Sequence, residues 1–185
     1  KACTELLELN IKPRDILTFE SFENAITMLN AVGGSTNGIL HLLALSNEVG
    51  INLDYDDFER IRKKTPHIAD MKPGGGYVMN SLDKIGGIPL VMKKLLDNNL
   101  IHGNSLTVTG KTIEENIKQF KISTTEQQIV REIENPLHNV GTAVILHGNL
   151  APEGAVIKTA GVEMTKFTGK ARVFDGEESA FDSVA

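Results

Sequence analysis

The chain has 185 residues, 41% hydrophobic and 23% charged, a composition typical of a globular domain or of parts of two. Its net charge of −5 is spread along the chain, and the basic run at residues 60–64 directly follows acidic residues, which argues against nucleic-acid binding. No apolar run approaches the ~20 residues of a membrane span and none resembles a signal peptide, while a single cysteine, Cys3, excludes an internal disulfide or all-cysteine metal site, so we expect a cytoplasmic protein.

The first fifty residues predict a series of helices. Residues 2–9 have helical apolar spacing, and Thr18 is a candidate N-cap for an amphipathic helix that the two glycines before Ser35 would end. Ser35 is a candidate cap for the next helix, and Gly50 occupies the position of a C-terminal glycine. The helix between them has little polar surface, so we expect it to be buried.

Further helices are predicted between about residue 56 and the polar segment that begins at residue 118. One runs from about residue 56 to 64, another ends at Gly86-Gly87, and Pro89 suits the first turn of the next. Thr112 and Glu115 have the spacing of a capping box for a short polar helix.

The pattern changes near residue 120. Residues 118–139 are polar and weakly patterned, which predicts a connector, and three short apolar runs then predict strands at 143–146, 155–157 and 171–174. We therefore expect an α/β protein in three parts: a helix-rich α/β segment over residues 1–120, a connector over 121–138, and the beginning of a β-rich domain over 139–185. Both termini fall within predicted helices, so we expect a fragment.

The run Gly33-Gly34-Ser35-Thr36-Asn37 is a candidate ligand site. Two glycines allow a tight turn, and free amides with two hydroxyls at a helix N-terminus suit a carboxylate or a phosphate. The alternative is a structural helix junction with Ser35 as cap. His41 lies one turn beyond Asn37 and is either a hydrogen-bonded core residue or a catalytic base.

Three other motifs have weaker functional interpretations. The segment ending in Gly110-Lys111-Thr112 resembles a phosphate-binding loop, but six residues separate its glycines where four are needed. The aspartates at positions 54, 56 and 57 lack the glycine and glutamate of a calcium loop, so they favour a helix cap. Asp70 and Lys72 precede three glycines and either face a ligand or belong to a polar turn.

Several of these segments together resemble the dihydroxy-acid/6-phosphogluconate dehydratase family. They occur in family order over nearly the whole chain, and the run that begins at Gly148 and ends at Lys158 is the most specific. The residues at positions 70–75 and 107–112 resemble the dihydroxy-acid branch of the family more than its sugar-acid branches. The segments are residues 13–18, 33–37, 40–42, 64–66, 70–75, 86–89, 107–112 and 148–158.

The resemblance implies a hydro-lyase of valine and isoleucine biosynthesis that converts a 2,3-dihydroxy-3-methyl acid to a 2-keto acid. An iron–sulfur cluster would bind the departing C3 hydroxyl as a Lewis acid, Mg²⁺ would hold the carboxylate and the C2 hydroxyl, and a deprotonated serine would remove the C2 proton. The family's cysteines, magnesium ligands and serine base match no position here, Cys3 included. The resemblance therefore implies no catalytic, cofactor-binding or metal-binding residue in this chain, which should be inactive alone.

The resemblance also implies where this chain would lie in the intact enzyme. It would supply the later part of the N-terminal α/β domain, the connector, and the first strands of a swivelling C-terminal β-domain, with the active site in the cleft between domains. Gly34, Ser35, Thr36, Asn37 and His41 would then approach that cleft or brace neighbouring helices. A homodimer is implied, and a sugar-acid dehydratase or a non-catalytic scaffold remain alternatives.

Overall fold

The computed structural model describes residues 2–120, 127–162 and 166–184, which form helices followed by one β-hairpin and a further helix. The helices before the hairpin are α1 (Ala2–Glu8), α2 (Pro13–Ile16), α3 (Phe19–Ala31), α4 (Asn37–Val49), α5 (Tyr55–Lys64), α6 (Met79–Lys84), α7 (Gly87–Asp97) and α8 (Ile113–Gln119). The strands are β1 (Ala143–Leu146) and β2 (Ala155–Lys158), and α9 (Glu177–Val184) follows them. The helix-rich α/β prediction is confirmed.

Local sequence signals set most helix boundaries. Thr18, Asp54 and Thr112 each accept a hydrogen bond from the main-chain nitrogen three residues later, and so cap α3, α5 and α8 as predicted. Gly50 ends α4 in the left-handed conformation, with φ of 79°. The aspartates at 54, 56 and 57 therefore belong to a helix start.

The two predicted strands at 143–146 and 155–157 form an antiparallel hairpin. Ala143 is opposite Lys158 and Leu146 is opposite Ala155. The predicted strand at 171–174 is wrong: these residues have no ladder partner in the part of the chain that the structure describes. Val173 is 85% exposed, Phe174 is half-buried beneath the Arg172 guanidinium, and a strand without a partner leaves its backbone groups to water.

Two apolar clusters form the core. The first contains the inner faces of α7 and α8 together with Ile68 and Val130, and the second joins α3, α4 and α5 to β1 through residues such as Phe22, Phe58 and Ile145. The two clusters share α3, whose Ala31 lies in the first. Burial of such side chains is the main stabilising term for a chain with few aromatic residues.

The prediction that α4 is buried is wrong. Only Ile39 and Ser46 are buried on this helix, whereas Leu40 is 65% exposed and Leu45 is 47% exposed. The helix packs by one face on the second cluster. Its high apolar content therefore does not mean that the whole helix is enclosed by other residues. His41 lies on the exposed side, which also corrects its interpretation as a core histidine.

Residues 127–141 pack closely on the helical part. Ile129 and Val130 are buried in the first cluster, and main-chain hydrogen bonds of 2.8 Å join Asp70 to Ile129 and Arg131 to Ile68. Ile129 and Val130 of this polar segment are thus core residues, whereas Val140 is exposed. No helix among the described residues has the length and apolarity to cross a membrane.

Candidate functional site

The turn between α3 and α4 is formed by three residues, Gly33-Gly34-Ser35, called here the glycine turn. Gly33 has φ of +60°, in the region that favours glycine, and a Cβ there would lie 2.6 Å from Nε2 of His67. A Cβ on Gly34 would lie 2.5 Å from Cδ1 of Leu29. Gly33 is therefore required both by the turn and by its contact with His67, whereas Gly34 is favoured by close packing alone.

A second loop faces the glycine turn and includes Asp70 and Lys72. Oδ1 of Asp70 accepts a hydrogen bond from the Gly76 nitrogen at 2.9 Å, and the Lys72 nitrogen donates to the Tyr77 oxygen at 2.7 Å. The loop is thus closed by its own polar groups, as the polar-turn interpretation of Asp70 expects. Lys72 lines the cavity described below.

Lys158, the last residue of β2, connects the hairpin to the glycine turn. Its Nζ donates a hydrogen bond to the main-chain oxygen of Gly33 at 2.6 Å, across 125 positions of sequence. Gly74 and Ala160 form a second contact between the same parts, because a Cβ on Gly74 would lie 3.0 Å from the Ala160 main chain. Residues from three distant motifs therefore meet at one place.

His67 lies beneath this meeting point. Its ring is 5% exposed and stacks on His138 at 5.3 Å between ring centroids, with an interplanar angle of 12°. Nδ1 of His67 has no hydrogen-bond partner in the described part of the chain. Burial, followed by the charge of a protonated His138, lowers the pKa of His67 to about 4, so the ring is neutral at neutral pH.

A cavity of about 270 Å³ lies between the glycine turn, the 70–77 loop and the start of α7. Its lining combines apolar side chains with two lysines and the turn itself. The lining residues are Val32, Gly33, Gly34, Ser35, Met71, Lys72, Pro73, Met79, Leu82, Ile88 and Lys158.

The cavity includes some of the predicted site residues and not others. Gly34 and Ser35 line it, whereas Thr36, Asn37 and His41 do not. Oγ of Ser35 accepts a hydrogen bond from the Asn37 nitrogen at 3.3 Å, which stabilises the start of α4. The prediction that Ser35 caps this helix is wrong: Thr36 is the N-cap residue of α4, and its side chain makes no capping bond.

The described residues do not provide a ligand set for an iron–sulfur cluster or for Mg²⁺. Cys3 is exposed, and no group of three histidine, cysteine, aspartate or glutamate side chains within residues 2–120, 127–162 and 166–184 could hold a metal ion. A cluster needs several thiolates on one site, so these residues do not fit it.

Sequence patterns contain little indication of a role for His67 and only a partial one for Lys158. A lysine that ends an apolar strand is a detectable signal, because strands of this kind place alternate side chains on a packed face. No spacing rule connects position 67 to position 33. Their proximity arises because the chain segment around Ile68 bonds to the end of α3, where the Ala31 oxygen accepts from the Ile68 nitrogen at 2.9 Å.

Comparison with known proteins gives matches over both halves of the chain. Residues 1–116 match the family model described as "Dihydroxy-acid/6-phosphogluconate dehydratase N-terminal", and residues 128–185 match the corresponding C-terminal model. Proteins named dihydroxy-acid dehydratase from Saccharolobus islandicus, Sulfolobus acidocaldarius and Sulfurisphaera tokodaii are 57%, 56% and 54% identical over all 185 residues. The chain spans 33% of the length of each of these relatives.

Proposed function

Because the chain belongs to the dihydroxy-acid/6-phosphogluconate dehydratase family, we propose that it is a segment of a hydro-lyase acting on small 2,3-dihydroxy-3-methyl acids. The reaction removes the C2 proton and the C3 hydroxyl as one water and leaves an enol, which tautomerises to the 2-keto acid. The observation that carries the proposal is the pair of family matches, N-terminal and C-terminal, together with relatives named for this activity.

The segment's own role in such an enzyme is to build a junction between two parts of the protein. Lys158 bonds to the Gly33 oxygen, and Gly74 packs on Ala160, so the hairpin and the helical part are joined at the glycine turn. We assign residues 1–120 to the later N-terminal domain, 121–138 to the connector, and 139–185 to the beginning of a swivelling C-terminal domain.

We infer that the catalytic groups of the intact enzyme lie outside this chain. The cluster cysteines, the magnesium ligands and the serine base would come from the remaining length that the relatives have and this chain does not span. The 185-residue chain alone would then neither retain iron and sulfide in a fixed ratio nor dehydrate a dihydroxy acid. Iron–sulfur reconstitution of the purified chain tests this directly, and a stable cluster with turnover would contradict it.

The experiment that tests the function uses the full-length polypeptide that carries this segment. Purified without oxygen and supplied with Mg²⁺, it should convert 2,3-dihydroxyisovalerate to a 2-keto acid, measured as the dinitrophenylhydrazone. Gluconate and 6-phosphogluconate should react at least ten times more slowly. The reverse preference would support the sugar-acid branch, which the family description also covers. Failure on all three substrates would favour a non-catalytic scaffold.

Ser35 distinguishes two roles for the glycine turn in that enzyme. Its hydroxyl oxygen accepts a hydrogen bond from the Asn37 nitrogen, which supports a bracing role for the run from Gly34 to Asn37 and for the helix that carries His41. Ser35→Ala should therefore lower the melting temperature while kcat and KM stay normal. Lost activity at an unchanged melting temperature would instead place Ser35 at the substrate. A cytoplasmic homodimer serving valine and isoleucine synthesis completes the proposal.

A further inference from the structure

The outer edge of β1 is closed by side chains of the helical part. The main-chain nitrogen of Ile145 donates a hydrogen bond to Oε1 of Glu59 at 2.9 Å. The nitrogen of Ala143 donates in the same way to the side-chain oxygen of Asn30. In an antiparallel ladder alternate residues direct their main-chain groups outward, and these two nitrogens are the outward donors of β1. A further strand therefore cannot pair on this side of the hairpin.

The outer edge of β2 is open. The Thr159 nitrogen donates to the Thr142 oxygen at 2.7 Å, which fixes the alternation of the ladder. The main-chain groups of Val156 and Lys158 consequently point away from β1, and they have no hydrogen-bond partner in the described part of the chain. Lys158 is the one charged residue of β2, but its Nζ turns to the Gly33 oxygen and leaves the edge unshielded. Native proteins usually cover or block such an edge.

The hairpin face that points away from the helices is apolar as well. The ladder places Val144 opposite Ile157 and Leu146 opposite Ala155 on this face, because the residues that alternate with them pack in the second cluster. Leu146 is 46% exposed and Ile157 is 36% exposed. Strands with apolar side chains on both faces are typical of a sheet that is covered on both sides. A strand that fits beside β2 is therefore itself apolar, since neighbouring strands share both faces.

We propose that the open edge of β2 pairs with an apolar β-strand from the part of the full-length polypeptide that this chain does not span. The chain covers 33% of the length of its relatives, and residues 2–120, 127–162 and 166–184 contain no strand besides β1 and β2. A hairpin of two strands is at best marginally stable, and a strand of the same polypeptide joins it without the entropic cost of association. The proposal rests on the chain being a segment of a longer protein and not on the reaction.

Hydrogen exchange of the full-length polypeptide, resolved to single amides by fragmentation in the mass spectrometer, tests the pairing. The amides of Val156 and Lys158 should exchange at least about 100-fold more slowly than the same amides in an unfolded chain. The Ile157 amide faces β1 and is the internal reference, protected with or without an added strand. Fast exchange at Val156 and Lys158 beside a protected Ile157 would overturn the proposal. Fast exchange at all three would also overturn it, because the hairpin itself would not persist.

Photo-cross-linking of the full-length polypeptide identifies the occupant. Benzoylphenylalanine in place of Ile157 should give a product of single-polypeptide mass on a denaturing gel, linked to a peptide outside residues 1–185. The same replacement of Lys118, whose side chain is 70% exposed on α8, is the control and should not link to that peptide. A product of twice the mass would assign the edge to a second copy, and a link within residues 1–185 or to another protein would likewise overturn the proposal. Neither readout depends on turnover, so failure of the proposed reaction is distinguished from failure of the pairing.

Discussion

The side-chain oxygen of Asn30 accepts a hydrogen bond from the main-chain nitrogen of Ala143 at 3.2 Å, across 113 positions of sequence. Asn30 is 1% exposed and also donates to the Ile26 oxygen at 3.0 Å. The buried side-chain amide of Asn30 thus provides a hydrogen-bond partner both for the nitrogen of the first residue of β1 and for a carbonyl oxygen of α3. A buried main-chain nitrogen without a partner would be costly.

Asn30→Ala should therefore destabilise the protein by about 2 kcal/mol, because the nitrogen of Ala143 loses its acceptor in a site closed to water. Urea unfolding measures this change. Asn98→Ala is the control, since Asn98 is exposed and its side chain donates to the Lys94 oxygen within its own helix. A similar loss in both variants would mean that the Asn30 contact is not special.

Gly33→Ala should lower the free energy of unfolding by about 3 kcal/mol. The new Cβ would lie 2.6 Å from the His67 ring, and alanine would have to adopt the positive φ of this position. Gly50→Ala separates the two causes. Gly50 also has positive φ, of +79°, but nothing lies within 4 Å of its Cβ position. Gly50→Ala should therefore lower the free energy of unfolding by about 1 kcal/mol. Equal losses would show that the His67 contact relaxes without cost.

The stability of the protein should fall as the pH decreases from 6.5 towards 4. The folded state holds the pKa of His67 at about 4, so the unfolded chain binds the proton first, and protonation favours unfolding. Burial is the main cause of the lowered pKa of His67. The charges of His138 and Lys158 also disfavour the protonated His67 ring, whereas Asp70 favours it. Titration of His67 should lower the free energy of unfolding by about 2 kcal/mol between pH 7 and pH 5.

Urea unfolding at pH 7 and pH 5 measures this effect, and His67→Gln supplies the comparison because glutamine does not titrate. The variant should lose about 2 kcal/mol less stability over this interval than the wild type does. An identical loss in both proteins would show that another group causes the pH dependence.

Lys158→Met should destabilise by about 1 kcal/mol, because the Gly33 oxygen loses a charged donor while the aliphatic stem is retained. Lys118→Met is the matched control. The Lys118 side chain is 70% exposed and pairs with Glu114 on the surface, where such pairs contribute little. Thermal unfolding of both variants decides whether the hairpin contact is structural. Equal melting temperatures for the two variants would show that Lys158 does not stabilise the junction.

The two faces of α4 should respond differently to truncation. Ile39 is 1% exposed, so Ile39→Ala should cost about 3 kcal/mol through lost packing and a residual cavity. Leu40 is 65% exposed, and Leu40→Ala should change stability by less than about 0.5 kcal/mol. Unfolding in urea compares them. A large loss for Leu40→Ala would show that this face is covered in solution.

Local signals in the sequence determined much of the helical part and the hairpin. Thr18, Asp54 and Thr112 cap helices as their spacing predicts, because a capping bond spans only three residues. Two short apolar runs likewise predicted both strands of the hairpin. Family membership also followed from the sequence, since motifs in order are a property of the chain itself.

Only the tertiary structure decided which faces are buried and which distant residues meet. The apolar content of α4 predicted burial, yet Leu40 is exposed, because enclosure depends on neighbours that periodicity does not specify. The run at 171–174 has strand composition but no partner among the described residues. The contacts of Gly33 with His67 and Lys158 join positions 34 and 125 residues apart, and such separations are fixed by packing, for which no local rule exists.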